Sequence, residues 1–136
     1  MRQTLLAVSL TAIAMFGGPQ AQAQDAGIGG GIYAQYCATC HGIDGTGDGP
    51  LNELMSQSAP DLTKLSEAND GVFPMLEVIH IIDGRTGLRA HGGPMPVYGR
   101  VFDEEHGTTM QGDVSAVLET RGRVLSLAMF LESLQQ

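Results

Sequence analysis

The chain has 136 residues, room for one domain and hardly two, and a formal charge of −8. Its acidic balance and single lysine, Lys64, exclude nucleic-acid binding, which needs clustered cations to neutralise phosphates. At 43% hydrophobic it is too apolar for a disordered acidic tail, yet at 5% aromatic its own side chains make a thin core.

In chain order the first element is a leader. Arg2 precedes an apolar run from Leu5 to Phe16, then Gly17, Gly18 and Pro19, then Ala21-Gln22-Ala23. A positive start, a short apolar run and a small-x-small site form the pattern of a secretory signal peptide. The run is shorter than the ~20 residues needed to cross a bilayer. The expectation is a cleaved leader over 1–23 and a single domain over 24–136, exported to the periplasm, without a membrane span after cleavage. Loss of Arg2 makes the mature chain one unit more acidic.

A helix is expected from about Ile32 to Cys40, opened by Gly29, Gly30 and Gly31, with Tyr33 and Cys37 on one face. It carries Cys37-Ala38-Thr39-Cys40-His41. Three chemistries fit two cysteines at that spacing. A thioredoxin-type pair needs a strand leading into the helix, and no strand-like run precedes Cys37. A zinc site needs a second close ligand pair, and His80, His91 and His106 are scattered. Covalent haem attachment needs two thiols one helical turn apart, on one porphyrin edge, and an adjacent imidazole to reach the iron. Export favours the last, because c-type haem is assembled outside the bacterial cytoplasm.

The stretch from Tyr33 to Pro50, with Cys37, Cys40, His41 and the glycines that follow, resembles a bacterial class I c-type cytochrome. Ala59-Pro60-Asp61-Leu62-Thr63, Pro94-Met95-Pro96-Val97-Tyr98-Gly99 and the terminal Leu127–Gln135 continue the likeness in the family's order. The resemblance implies an all-α class I cytochrome c fold, about four or five short helices around one covalently attached haem c. It further implies that Gly29 and Tyr33 pack against Phe130, and that the carbonyl of Pro60 holds the second ring nitrogen of His41, with Pro50 as competitor.

From Gly42 to Pro50 the chain reads as a glycine-rich loop. Its aspartates superficially suggest a calcium loop, but the twelfth position from Asp44 is Met55 rather than a glutamate. A short helix is expected over Leu62–Ala68, and a buried one from Pro74 to Asp83-Gly84. Arg85 beyond it is a candidate partner for a haem propionate.

Met95 is the expected sixth iron ligand. Its flanking prolines fix a backbone that cannot continue a helix, and it matches the family's Met-Pro loop. Met110 ranks second because it lacks that frame; His91 and His106 follow. Asp103–Ser115 reads as an insertion, and Tyr98 stands where related sequences often carry tryptophan. The last helix is expected from Thr120 to Leu134, with Val124, Leu127, Ala128 and Leu131 on one stripe.

A His/Met-ligated haem has no vacant position for substrate, so the implied function is one-electron transfer between Fe(II) and Fe(III), not enzyme catalysis. The alternative is a cytochrome subunit of a larger dehydrogenase or oxidoreductase complex. A haem enzyme or gas sensor fits the Pro-Met-Pro frame least. With one lysine, the chain offers no ring of lysines for docking, so its redox partners are expected to present a basic or apolar face.

Overall fold

The computed structural model describes residues 20–84, 95–105 and 113–136, with side-chain surroundings from residue 27 onward. Five α-helices are present among them: α1 (Gln20–Tyr36), α2 (Ala38–His41), α3 (Met75–Asp83), α4 (Tyr98–Glu105) and α5 (Val114–Ser133). Three 3-10 turns, Asn52–Leu54, Leu62–Lys64 and Glu67–Asn69, punctuate the segment between α2 and α3. No strand occurs among the described residues, and the fold is all-α.

The organising contact is α1 against α5, with α3 and α4 also leaning on α5. Its closeness is set at Gly29, where a Cβ would overlap the backbone carbonyl of Ser126 and the Cβ of Phe130. Tyr33, one turn on, stacks at a tilt on Phe130 with ring centroids 5.1 Å apart. All three glycines therefore lie inside α1 rather than opening a helix at Ile32. Interior glycine costs about 1 kcal/mol of helix propensity, and at Gly29 the interhelical contact offsets it.

The other boundaries differ in instructive ways. The chain breaks its helix at Cys37, so the expected single helix is two, α1 and α2. The Leu62–Ala68 helix is instead two 3-10 turns, the first capped by the Asp61 carboxylate on the Thr63 N–H at 2.8 Å. The terminal helix begins at Val114 rather than Thr120, because the Asp113 side chain caps it by accepting from the Ser115 N–H. Helix α3 ends as expected, with the Gly84 N–H on the carbonyls of His80 and Ile81.

Helix α4 is unforeseen. Tyr98, Val101, Phe102 and Glu105 follow helical spacing, and Phe102 is fully buried among Tyr36, Tyr98 and α5. Asp103 is thus not part of a surface insertion. It is buried, and its carboxylate accepts from the Thr120 hydroxyl at 2.6 Å, joining α4 to α5. Of the Asp103–Ser115 stretch, residues 106–112 lie outside the described residues, as do Arg85 and His91.

The core is Tyr33, Val78, Ile82, Phe102, Val124, Leu127, Ala128 and Leu131 with a few neighbours. It lies along the α1–α5 contact. On its flank, between α2, the 3-10 turns and the start of α4, a large space is left.

Candidate haem-binding site

That space is a half-open cavity of about 570 Å³, within the range of small-molecule and cofactor sites. Cys37, Cys40, His41, Pro60 and Met95 all line it. Tyr36, Leu51, Met55 and Tyr98 complete much of the wall, and among the described residues no Asp, Glu, Lys or Arg side chain contributes.

Local backbone chemistry builds the first wall. Helix α2 is one turn long, and its orphan C-terminal carbonyls need donors. The glycine-rich loop supplies them. Leu51 N–H bonds the carbonyl of Thr39 at 3.0 Å, Gly49 N–H that of Cys40 at 3.2 Å, and Gly47 N–H that of His41 at 2.8 Å. The approach is so close that a Cβ at Gly49 would stand 2.5 Å from backbone atoms of Thr39 and Cys40. Asn52 pins the loop from inside, its amide donating to the Gly47 carbonyl and accepting from the Ala59 N–H. The glycines thus position the motif rather than cradle a cation or a phosphate.

His41 is buried, and its Nδ1 lies 3.1 Å from the carbonyl oxygen of Pro60. A carbonyl only accepts, so Nδ1 carries the proton and Nε2 keeps its lone pair. Burial lowers the pKa of the ring, against the opposing pull of the Pro60 bond. The side chain is therefore a neutral imidazole with one fixed tautomer. Pro50 makes no such bond and lines a shallower neighbouring depression.

The thiols sit on the same turn, with the Cys40 N–H on the Cys37 carbonyl at 3.1 Å. Both are free. Burial, aided by the nearby Cys40, pushes the Cys37 thiol up to about 12. A thioredoxin-type nucleophile needs the opposite shift, toward a thiolate at neutral pH. Among the described residues, no three His, Cys, Asp or Glu side chains converge to hold a metal ion.

Met95, Pro96 and Tyr98 add a further part of the lining. Tyr98 is buried, and its hydroxyl donates to the carbonyl of Tyr36 at 2.7 Å. Tyr36 is the last residue of α1, directly before Cys37, so this bond ties the Met95 segment to the cysteine motif. Behind it, Arg123 of α5 reaches Glu105 at 2.9 Å, lies 4.1 Å over the Phe102 ring and contacts the Tyr36 hydroxyl at 3.3 Å. Glu105 also accepts from that hydroxyl. Sequence reasoning missed this network, because its members are scattered over α1, α4 and α5.

The residues present fit a haem. Two thiols one turn apart edge the cavity, a neutral imidazole and a thioether line it, and among the described residues no charged side chain lines its walls. Met55 is a second thioether in the wall, with no sequence signal to mark it. Met110 and His106 lie outside the described residues.

No curated protein and no solved structure matches the chain. The cytochrome c family model matches residues 27–111, more than half of the chain. The protein therefore belongs to the cytochrome c family, as a class I c-type cytochrome that carries electrons through haem.

Proposed function

We propose that the protein is a periplasmic electron carrier whose haem c is bonded through Cys37 and Cys40 and axially ligated by His41 and Met95. Bound haem supplies an iron that accepts and returns one electron. The single observation that carries the reading is that these four residues, with Pro60, line one apolar cavity.

The chain's own groups have separate roles. The two thiols would hold the cofactor through thioether bonds, keeping it in place while partners exchange. His41 offers Nε2 because Pro60 holds Nδ1–H, and that bond fixes the plane of the ring. Met95 would offer its thioether as the second protein ligand, and thioether ligation in an apolar pocket would favour the less charged ferrous state. Export follows from the leader, with maturation after Ala23, a position inside α1. Among the described residues no helix is long and apolar enough to cross a membrane.

A second reading, a subunit within a larger oxidoreductase, draws on one feature. Val114, Leu118 and Leu125 are exposed along the outer face of α5, and none lines the cavity.

Visible spectroscopy tests the ligand set. The ferric protein should show the weak far-red band of thioether-ligated haem, and Met95→Ala should abolish it. Survival of the band in Met95→Ala, with loss in Met110→Ala, moves the ligand to Met110. Rapid cyanide or carbon monoxide binding by the unaltered protein would point instead to an enzyme or a sensor. N-terminal sequencing of the exported protein checks cleavage after Ala23.

A further inference from the structure

We infer that Ile43, Pro50, Leu51 and Leu54 form the docking surface of this carrier, and that its partner presents an apolar patch surrounded by lysine or arginine. The inference rests on the electron-carrier reading and adds the location and the chemistry of the contact.

The residues are contiguous. Leu51 and Leu54 are i and i+3 of one 3-10 turn, joined by the Leu54 N–H on the Leu51 carbonyl at 3.0 Å. Side chains at that spacing eclipse in a 3-10 turn, so both face the same way. Leu51 lines the cavity beside Thr39, and Thr39 also lines a neighbouring depression with Ile43 and Pro50. The Leu51 N–H bond to the Thr39 carbonyl ties the two depressions together, next to Cys40.

The patch is also unusually open. Leu54 is 82% exposed and Ile43 69%, the former the most exposed large apolar side chain among the described residues. Exposing them costs solubility and adds nothing to the core, whereas clustered exposed apolar side chains mark contact sites.

Charge then selects the occupant. From Gln3 to Thr63 the chain has no lysine or arginine. Asp44 adjoins Ile43, Asp48 lines the neighbouring depression, and Glu53 stands between Leu51 and Leu54; all three are exposed. An apolar centre with an acidic rim repels an acidic partner and steers a basic one, while the centre allows a small, short-lived contact. Among the described residues, other exposed large apolar side chains stand on α5 and at Ile28, Val72 and Leu76, and none of them lines the cavity or the neighbouring depression.

The test measures electron exchange between the holoprotein and a lysine-rich mitochondrial cytochrome c as basic probe, by stopped flow in the downhill direction. Leu54→Ser and Ile43→Ser are expected to slow it about fivefold or more. Leu118→Ser, also at an exposed position but on α5, should stay within twofold. Oxidation of the reduced variants by ferricyanide, a small acceptor needing no apolar contact, should also stay within twofold. Asp44→Asn with Glu53→Gln should flatten the fall in rate as salt is raised. In a matched oxidation state, where no net electron transfer occurs, the probe should shift amide resonances centred on 43–54.

Unchanged rates in Leu54→Ser and Ile43→Ser, or shifts centred on α5 with a loss in Leu118→Ser, overturn the proposed surface. A reduced holoprotein that ferricyanide cannot oxidise overturns the carrier reading itself, which separates the two failures.

Discussion

Tyr98 shows how much one hydroxyl can decide. Its ring lines the cavity, and its O–H satisfies a carbonyl that α1 leaves orphaned at its last residue. Burial pushes its phenol up to about 12, so the group is a donor at every physiological pH. Tyr98→Phe keeps the ring and removes the donor, leaving a carbonyl unsatisfied beside the cysteine motif. The expected cost is about 1–2 kcal/mol in chemical denaturation. Because the bond joins the Met95 segment to α1, the far-red band should also become more easily lost on raising pH or temperature. A Tyr98→Phe protein with unaltered stability and an unaltered band would remove this role.

The pairing of His41 with Pro60 was legible in the sequence only through family resemblance, since nothing in the residues between them says which carbonyl will face the ring. The role of Leu51 and Met55 in the wall was not legible at all. Their positions depend on how the Gly42–Pro50 loop returns over α2, and that path is set by backbone bonds to Thr39, Cys40 and His41.

Helices in this fold are decided by packing where propensity is weak. Gly29 meets the Ser126 carbonyl, while Gly31 of α1 and Gly122 of α5 have open space at their Cβ positions. The same substitution should therefore act in opposite directions. Gly29→Ala must push α1 from α5, at a cost of about 1–3 kcal/mol or more. Gly31→Ala and Gly122→Ala should stabilise by roughly 0.5–1 kcal/mol each, through helix propensity and a less flexible unfolded chain. Thermal unfolding of the three variants checks the signs.

Helix α4 was hidden for a related reason. Its acidic run Asp103-Glu104-Glu105 looks like a surface insertion, yet Asp103 is buried on Thr120 and Glu105 is engaged by Arg123. Apolar spacing at Tyr98, Val101 and Phe102 was present, but short. Its decisive partner, the ring cluster with Tyr36, lies more than sixty residues away in sequence.

At the scale of the whole molecule, two buried phenols link stability to alkaline pH. Tyr33 donates to the Gly42 carbonyl at 2.6 Å, and burial pushes its phenol up to about 12, as for Tyr98. The unfolded chain releases these protons near 10.0 and the folded chain near 12. Above 10 the unfolded state therefore binds fewer protons, and folding stability falls with rising pH. The contribution is intact below pH 10 and is lost between 10 and 12. Denaturant midpoints across that window should fall less steeply in Tyr33→Phe than in the unaltered protein. An equal slope in both would exclude Tyr33 as a source.

The sequence by itself determined the chemistry. Cys37, Cys40 and His41 are neighbours along the chain, so one helical turn suffices to bring two thiols and an imidazole together. Composition had already indicated an interior short of aromatic side chains, and a haem-sized cavity beside the core is consistent with that shortage. Charge is equally a property of the sequence, and the absence of lysine and arginine between Arg2 and Lys64 limits what this surface attracts. Tertiary structure decided the rest: the crossing of α1 and α5 at Gly29, the return of the loop onto α2, and the tie from Tyr98 to Tyr36. Each joins residues distant in sequence, through shape and backbone hydrogen bonds that local periodicity does not encode. The motif names the cofactor, whereas only the packed helices bring Met95 into the lining of the same cavity.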